Sequence, residues 1–271
     1  LSRDAAVFEG ESADMHGEAR GLAAAAVEVE VGQNELGHGW PSMSKLRVAS
    51  LHCFGSNPEK HAHQQHHFVH CVEACGELAE WIYPAGPHRL EPEIVRNLLA
   101  NDMGCTDEEV EAFGLEEPRC WFRFTEGRYV GLEESMAFLA EYCRREGPDG
   151  IAGYSNGGGA AQLVAAAREA GHPDFQSIRF LMSFCGATSP MMQGAIRKFL
   201  GPGRGRITIP TIVFGSRQDP MLANAEQMAR DLFEHCELAV ADEQRPFANH
   251  ALPQDARSYE RVVGFLEARR R

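Results

Sequence analysis

No stretch of about 20 apolar residues occurs in this 271-residue chain, so none of its segments suits a membrane-spanning helix. Dense blocks of Lys or Arg are also missing. The chain carries 26 basic against 39 acidic side chains, a formal charge of −13 that repels polyphosphates and anionic lipid headgroups. Nucleic acid and membrane insertion are therefore excluded from the expected partners. The eight cysteines, at 53, 71, 75, 105, 120, 143, 185 and 236, include no C-x-x-C pair and no compact scaffold spacing. Reduced, buried thiols are the expectation. Gly201 to Arg206 is glycine-rich but lacks the lysine–serine ending that a phosphate-binding loop requires.

Apolar residues make up 44% of the chain, enough for a sizeable core, and they fall in short runs. Residues 1–45 are rich in Ala, Glu and Gly and read as an extension outside that core, poorly structured or binding a protein partner. The chain begins at Leu1 rather than Met, which fits a processed product or a sequence that starts within a longer one, and a cytoplasmic or organellar compartment is expected. From residue 46 to 271 one domain is expected. Leu46–Leu51, Trp81–Tyr83, Gly150–Gly153, Phe180–Phe184 and Ile209–Phe214 read as strands; Phe68–Leu78, Gly131–Arg145, Gly157–Ala170, Ala223–Phe233 and Ser258–Arg269 read as helices. This alternation predicts an α/β fold, a mostly parallel central sheet with helices on both faces. Residues 86–128 are irregular, with Pro, Gly and acidic side chains, and suit a cap-like insertion near a cleft or a plain surface excursion.

His61, His63, His66, His67 and His70 crowd one segment, and the last four share a face if it is helical. Histidines at i and i+4 can bind zinc, but no carboxylate or cysteine other than Cys71 is spaced to complete the set. A solvated helix face is the favoured reading, and no metal is expected.

Chemistry concentrates at Gly153-Tyr154-Ser155-Asn156-Gly157, a G-x-S-x-G set between a strand and a helix. A β-carbon at either glycine would crowd the neighbouring strand or helix, so the turn is tight and Ser155 is pushed outward. A neutral serine needs a base, and the base needs a carboxylate to fix its tautomer. Asp219 follows the strand Ile209–Phe214 through a short loop; its alternative is to start the helix after Pro220. Of the two histidines beyond Asp219, His235 continues a helical run, whereas His250 lies in a loop and is the candidate base. The backbone amides of Asn156 and Phe54, the latter in the loop after the first strand, are the candidate oxyanion donors. His52 reads as structural. Cys71, Cys75 and Cys185 have no partner in the sequence that would activate a thiolate, and buried packing is expected for them.

With these residues in place, the chain resembles the FSH-type serine hydrolases of the α/β-hydrolase superfamily, from about Leu46 to the C-terminus. Leu51-His52-Cys53-Phe54-Gly55 is similar to the family's L-H-G-F/Y-x, and Tyr83-Pro84-Ala85-Gly86-Pro87-His88 to its DAPH-like strand end. Trp121-Phe122 resembles its paired-Trp segment. Gly147 to Gly157 is similar to G-P-F/Y-D-G-I/V-x-G-F-S-Q-G, one residue shorter before Asp149. The resemblance implies an esterase or thioesterase acting on a small-molecule acyl ester or thioester without metal or organic cofactor, with Ser155, Asp219 and His250 carried over. Three residues depart from the pattern: Cys53 stands for glycine, Asn156 for glutamine and Asn249 for glycine. Cys53 and Asn249, with the extension, motivate a second reading, a catalytically weak or inactive hydrolase fold serving as a structural or binding subunit.

Overall fold

A computed structural model describes residues 44–73, 78–186, 188–219, 222–241, 252 and 255–270, without the side chains of 67–73. The extension as far as residue 43, and Asn249 and His250, lie outside the described residues. Strand β1 (Leu46–Leu51) leads into helix α1 (Pro58–Glu73) and strand β2 (Ala79–Ile82). An insertion follows, with short strands β3 (His88–Arg89), β4 (Arg119–Cys120), β5 (Arg123–Thr125) and β6 (Arg128–Val130) and helices α2 (Pro92–Asn97) and α3 (Asp107–Phe113). The chain then alternates through α4 (Leu132–Glu146), β7 (Gly150–Tyr154), α5 (Asn156–Glu169), β8 (Phe180–Phe184), α6 (Pro190–Leu200), β9 (Thr211–Ser216), α7 (Leu222–Leu232), β10 (Cys236–Ala241) and α8 (Ala256–Arg270).

Six strands form one sheet in the order β10-β9-β8-β7-β1-β2, every pair parallel. Side chains alternate between its faces, so Leu51, Ile151 and Leu181 pack in one core cluster with residues of α4, α5 and α6. Val48, Ala152, Met182, Ile212 and residues of α8, among them Val262 and Leu266, fill the other cluster. Both faces are covered, and the central strands are buried along almost their whole length.

The order of strands reverses at β1. The chain runs outward from β1 to β2, then crosses back to β7 on the other side of β1. In open α/β sheets the crevice at such a reversal, beyond the carboxyl ends of the strands, is where ligands sit. The register pairs Leu51 with Gly153, so the loop from His52 and the turn at Ser155 leave the sheet side by side.

Two elements differ from expectation. Helix α1 starts at Pro58, ten residues before the predicted start at Phe68. Asn57 caps it, its Oδ1 accepting from the Lys60 N–H at 3.0 Å, and proline suits the first helical position. Its inward side is polar: His61 and Gln65 are both buried, while His63 and His66 are exposed. The Ser50 hydroxyl donates to Gln65 Oε1 and takes the His61 Nε2–H, each at 3.0 Å. His61 thus belongs to the interior, and among the described residues no cluster of His, Cys, Asp and Glu is arranged to hold a metal. The second difference is at His235, which does not continue a helix; α7 ends at Leu232 and β10 begins at Cys236.

Candidate active site

Ser155 has φ 53° and ψ −113°, a conformation that L-residues rarely adopt and that costs about 1–3 kcal/mol. The surroundings impose it. The Ser155 N–H donates to the Phe184 carbonyl at 2.9 Å, and the Ser155 carbonyl accepts from the Gly159 N–H at 3.1 Å. Gly153 and Gly157 close the turn: a β-carbon on the first would meet the backbone of Gly157 and Gly158, and one on the second the carbonyls of Leu51 and His52. From Gly150 to Ala167 every residue is buried except Ser155, which is partly exposed. Helix α5 starts at the next residue, so the unpaired amides and the positive end of its dipole lie at the serine.

The loop after β1 is fastened on three sides. His52 is fully buried; the Gly86 N–H donates to its Nε2 at 2.9 Å, so its Nδ1–H donates to the Cys53 carbonyl at 2.8 Å and the ring is neutral. Trp121 Nε1–H donates to the His52 carbonyl at 3.0 Å. The Gly55 N–H donates to the Arg119 carbonyl, and the Arg119 N–H to the Ser56 carbonyl, both at 2.9 Å. Phe54 lies between these anchors, partly exposed and packed against the small core of the insertion. Cys53, where the family pattern has glycine, keeps a negative φ and turns its side chain into the sheet core, so the substitution brings no left-handed strain there. Burial pushes its thiol up to about 12, which removes it as a nucleophile.

Burial, opposed by the hydrogen bond to Cys53 and reinforced by the charge of Arg119, lowers the His52 pKa to about 4; burial also holds His61 well below the usual histidine range. As pH falls below about 6.5, the unfolded chain binds protons that the native His52 refuses until about pH 4. Stability therefore decreases as the pH falls through that window, by about 3 kcal/mol for His52 in full, and His61 adds a loss of the same sign. Urea melts at about pH 7 and about pH 4 should show this decline, and His52→Gln, which offers both a donor and an acceptor without titrating, should show a smaller one. Equal declines in the two proteins would contradict the assignment.

Asp219 stands beyond the carboxyl end of β9, 5% exposed, in a turn closed by its N–H to the Ser216 carbonyl and its carbonyl to the Leu222 N–H, both at 3.0 Å. The Arg217 N–H donates to the Ala241 carbonyl at 2.9 Å and ties this loop to the end of β10. Ser155, Phe54, Asn156 and Asp219 thus all lie at the carboxyl ends of β7, β1 and β9. A hollow of about 600 Å³ lined by Asn57, Lys60, His63 and Phe113 among others lies elsewhere and does not include Ser155.

The Asn156 side chain holds the backbone of Trp121 and Phe122 through two hydrogen bonds, which the sequence did not reveal; the one signal was that Trp121-Phe122 stood out as an aromatic pair.

A parallel sheet covered on both faces, with a serine on a strained strand-to-helix turn at the reversal of strand order, defines an α/β-hydrolase fold. The crystal structure of Zea mays acyl-protein thioesterase 2 shares it, with a TM-score of 0.55, 16% identity, and coverage of 85% of this chain and 96% of that one. The chain belongs to the serine hydrolase (FSH1) family, whose model matches residues 42–262. Human esterase OVCA2 is 32% identical over 120 residues, covering 40% of this chain and 50% of that protein. An esterase of Caenorhabditis elegans is 26% identical over 145 residues, 51% of this chain and 59% of that protein. The chain spans about half the length of the curated relatives it matches.

Proposed function

We propose that this chain hydrolyses a small-molecule carboxylic ester or thioester through an acyl-enzyme on Ser155. The observation that carries the reading is the strained, partly exposed Ser155 between β7 and the N-terminus of α5. His250 takes the Ser155 proton as the hydroxyl attacks the carbonyl, and Asp219 holds the imidazole and stabilises its cation. The Asn156 and Phe54 amides stabilise the oxyanion. His250 then gives its proton to the departing alcohol or thiol; a water that it deprotonates attacks the acyl-enzyme, and the carboxylic acid leaves. Two facts support the choice of partners. Asp219 is buried beyond β9, one strand from the neighbour of β7. Leu252, two residues after His250 in the sequence, packs in the same core cluster as Cys53, Tyr154 and Cys185. The relatives that carry the name esterase agree with this chemistry. The hydrolase domain then spans residues 46–271, with the insertion as its cap and residues 1–45 as a partner-binding extension.

The test is hydrolysis of a series of p-nitrophenyl esters and acyl thioesters by the folded protein. Turnover with a defined preference for chain length supports the reading; a folded protein that turns over none of them overturns it in favour of the non-catalytic subunit.

A further inference from the structure

The amide that Asn156 offers to an oxyanion belongs to the backbone, and any residue would supply it. Its side chain does something separate. Asn156 Oδ1 accepts from the Trp121 N–H at 2.8 Å, and Nδ2 donates to the Phe122 carbonyl at 3.1 Å. One carboxamide thus grips two successive residues of the segment between β4 and β5. Asn156 is 8% exposed and Trp121 fully buried, so no water competes for these bonds.

The gripped segment is itself fastened to the loop that carries Phe54. Trp121 Nε1–H donates to the His52 carbonyl at 3.0 Å, Arg119 pairs with Gly55 and Ser56, and the far side of Trp121 is pinned where the Ser135 hydroxyl donates to its carbonyl. A continuous run of hydrogen bonds therefore leads from the residue after Ser155, through Trp121, to the loop after β1. Asn156 stands at one end, and Phe54 follows two residues after His52 at the other.

We infer that Asn156 is a positioning residue: its carboxamide, through the Trp121 backbone and indole, sets the spacing between the Asn156 and Phe54 amides. This rests on the proposed hydrolysis at Ser155. Donors of an oxyanion hole act only when aimed at the place where charge develops, so a shift of a fraction of an ångström in one of them lowers turnover more than substrate affinity. Asparagine at this position, where the family pattern has glutamine, is the length that reaches both backbone groups here.

The experiment compares wild type, Asn156→Ala and Trp121→Phe for kcat and KM with a p-nitrophenyl ester, for near-ultraviolet circular dichroism, and for exchange of the residue 121 amide hydrogen. Asn156→Ala keeps the oxyanion amide and removes only the grip. Its kcat is expected to fall roughly tenfold to a hundredfold, with KM changing less than about threefold and the residue 121 amide exchanging faster. Trp121→Phe keeps an aromatic ring and removes the indole N–H; its kcat is expected to fall roughly threefold to tenfold. A folded Asn156→Ala with wild-type kcat overturns the inference, as does a rise in KM alone. If Asn156→Ala does not fold, an unchanged kcat in Trp121→Phe overturns it. A wild type that neither turns over ester nor is labelled at Ser155 defeats the reading of the site and this inference with it, an outcome distinct from an active wild type with an equally active variant.

Discussion

Ser155→Ala should lose ester hydrolysis by at least about 10⁴-fold while folding as well as the wild type. A loss of that size corresponds to about 5 kcal/mol of transition-state stabilisation, the amount expected when the only nucleophile is removed and the oxyanion amides remain. Stability should barely move because alanine retains the β-carbon and hence the strain at φ 53°. Ser155→Gly separates the two quantities. It should be as inactive as the alanine variant, yet more stable by about 1 kcal/mol, because glycine adopts positive φ without steric cost. Parallel assays of turnover and denaturant midpoint check both. A Ser155→Gly protein less stable than Ser155→Ala would mean that the turn is held differently from the geometry described.

The second large effect follows from the proposed partners. His250→Ala should approach the loss seen for Ser155→Ala, because without a base the serine stays protonated and the leaving group departs unaided. Asp219→Asn should lose less, by roughly one to two orders of magnitude relative to His250→Ala, because the base remains and only its tautomer and cation lose support. The double variant of Ser155 and His250 should be scarcely worse than either single one, since residues that act as a unit do not add. Equal activity of His250→Ala and wild type would send the search for the base to another residue.

The parts of this fold legible in the sequence are those buried mainly through apolar residues. Leu46–Leu51 and Phe180–Phe184 coincide with β1 and β8, which are interior strands of the sheet. The elbow was legible because its glycines answer a steric demand, the close approach of Gly157 to the carbonyls of Leu51 and His52. What escaped has physical reasons too. Strand β10 is the sheet edge, with Glu237 exposed and Leu238 and Val240 half-covered, and its apolar run, Leu238 to Ala241, is short. The first turns of α1 put His61 and Gln65 inward where apolar residues would have shown a stripe, and their burial depends on Ser50, a partner eleven and fifteen residues away. Helix α6 went unread although Ser189 and Pro190 mark its start: the Ser189 hydroxyl accepts from the Met192 N–H at 3.2 Å, a cap of ordinary kind. The grip of Asn156 on Trp121 joins residues 35 apart in the chain, and no local pattern announces such a contact.

Treating the folded wild type with a fluorophosphonate and locating the adduct by peptide mass spectrometry identifies the nucleophile. One adduct is expected, on Ser155, absent from Ser155→Ala and slowed in His250→Ala; an unlabelled Ser155 in folded protein, or an adduct on another residue that persists in Ser155→Ala, would rule out Ser155 as the nucleophile.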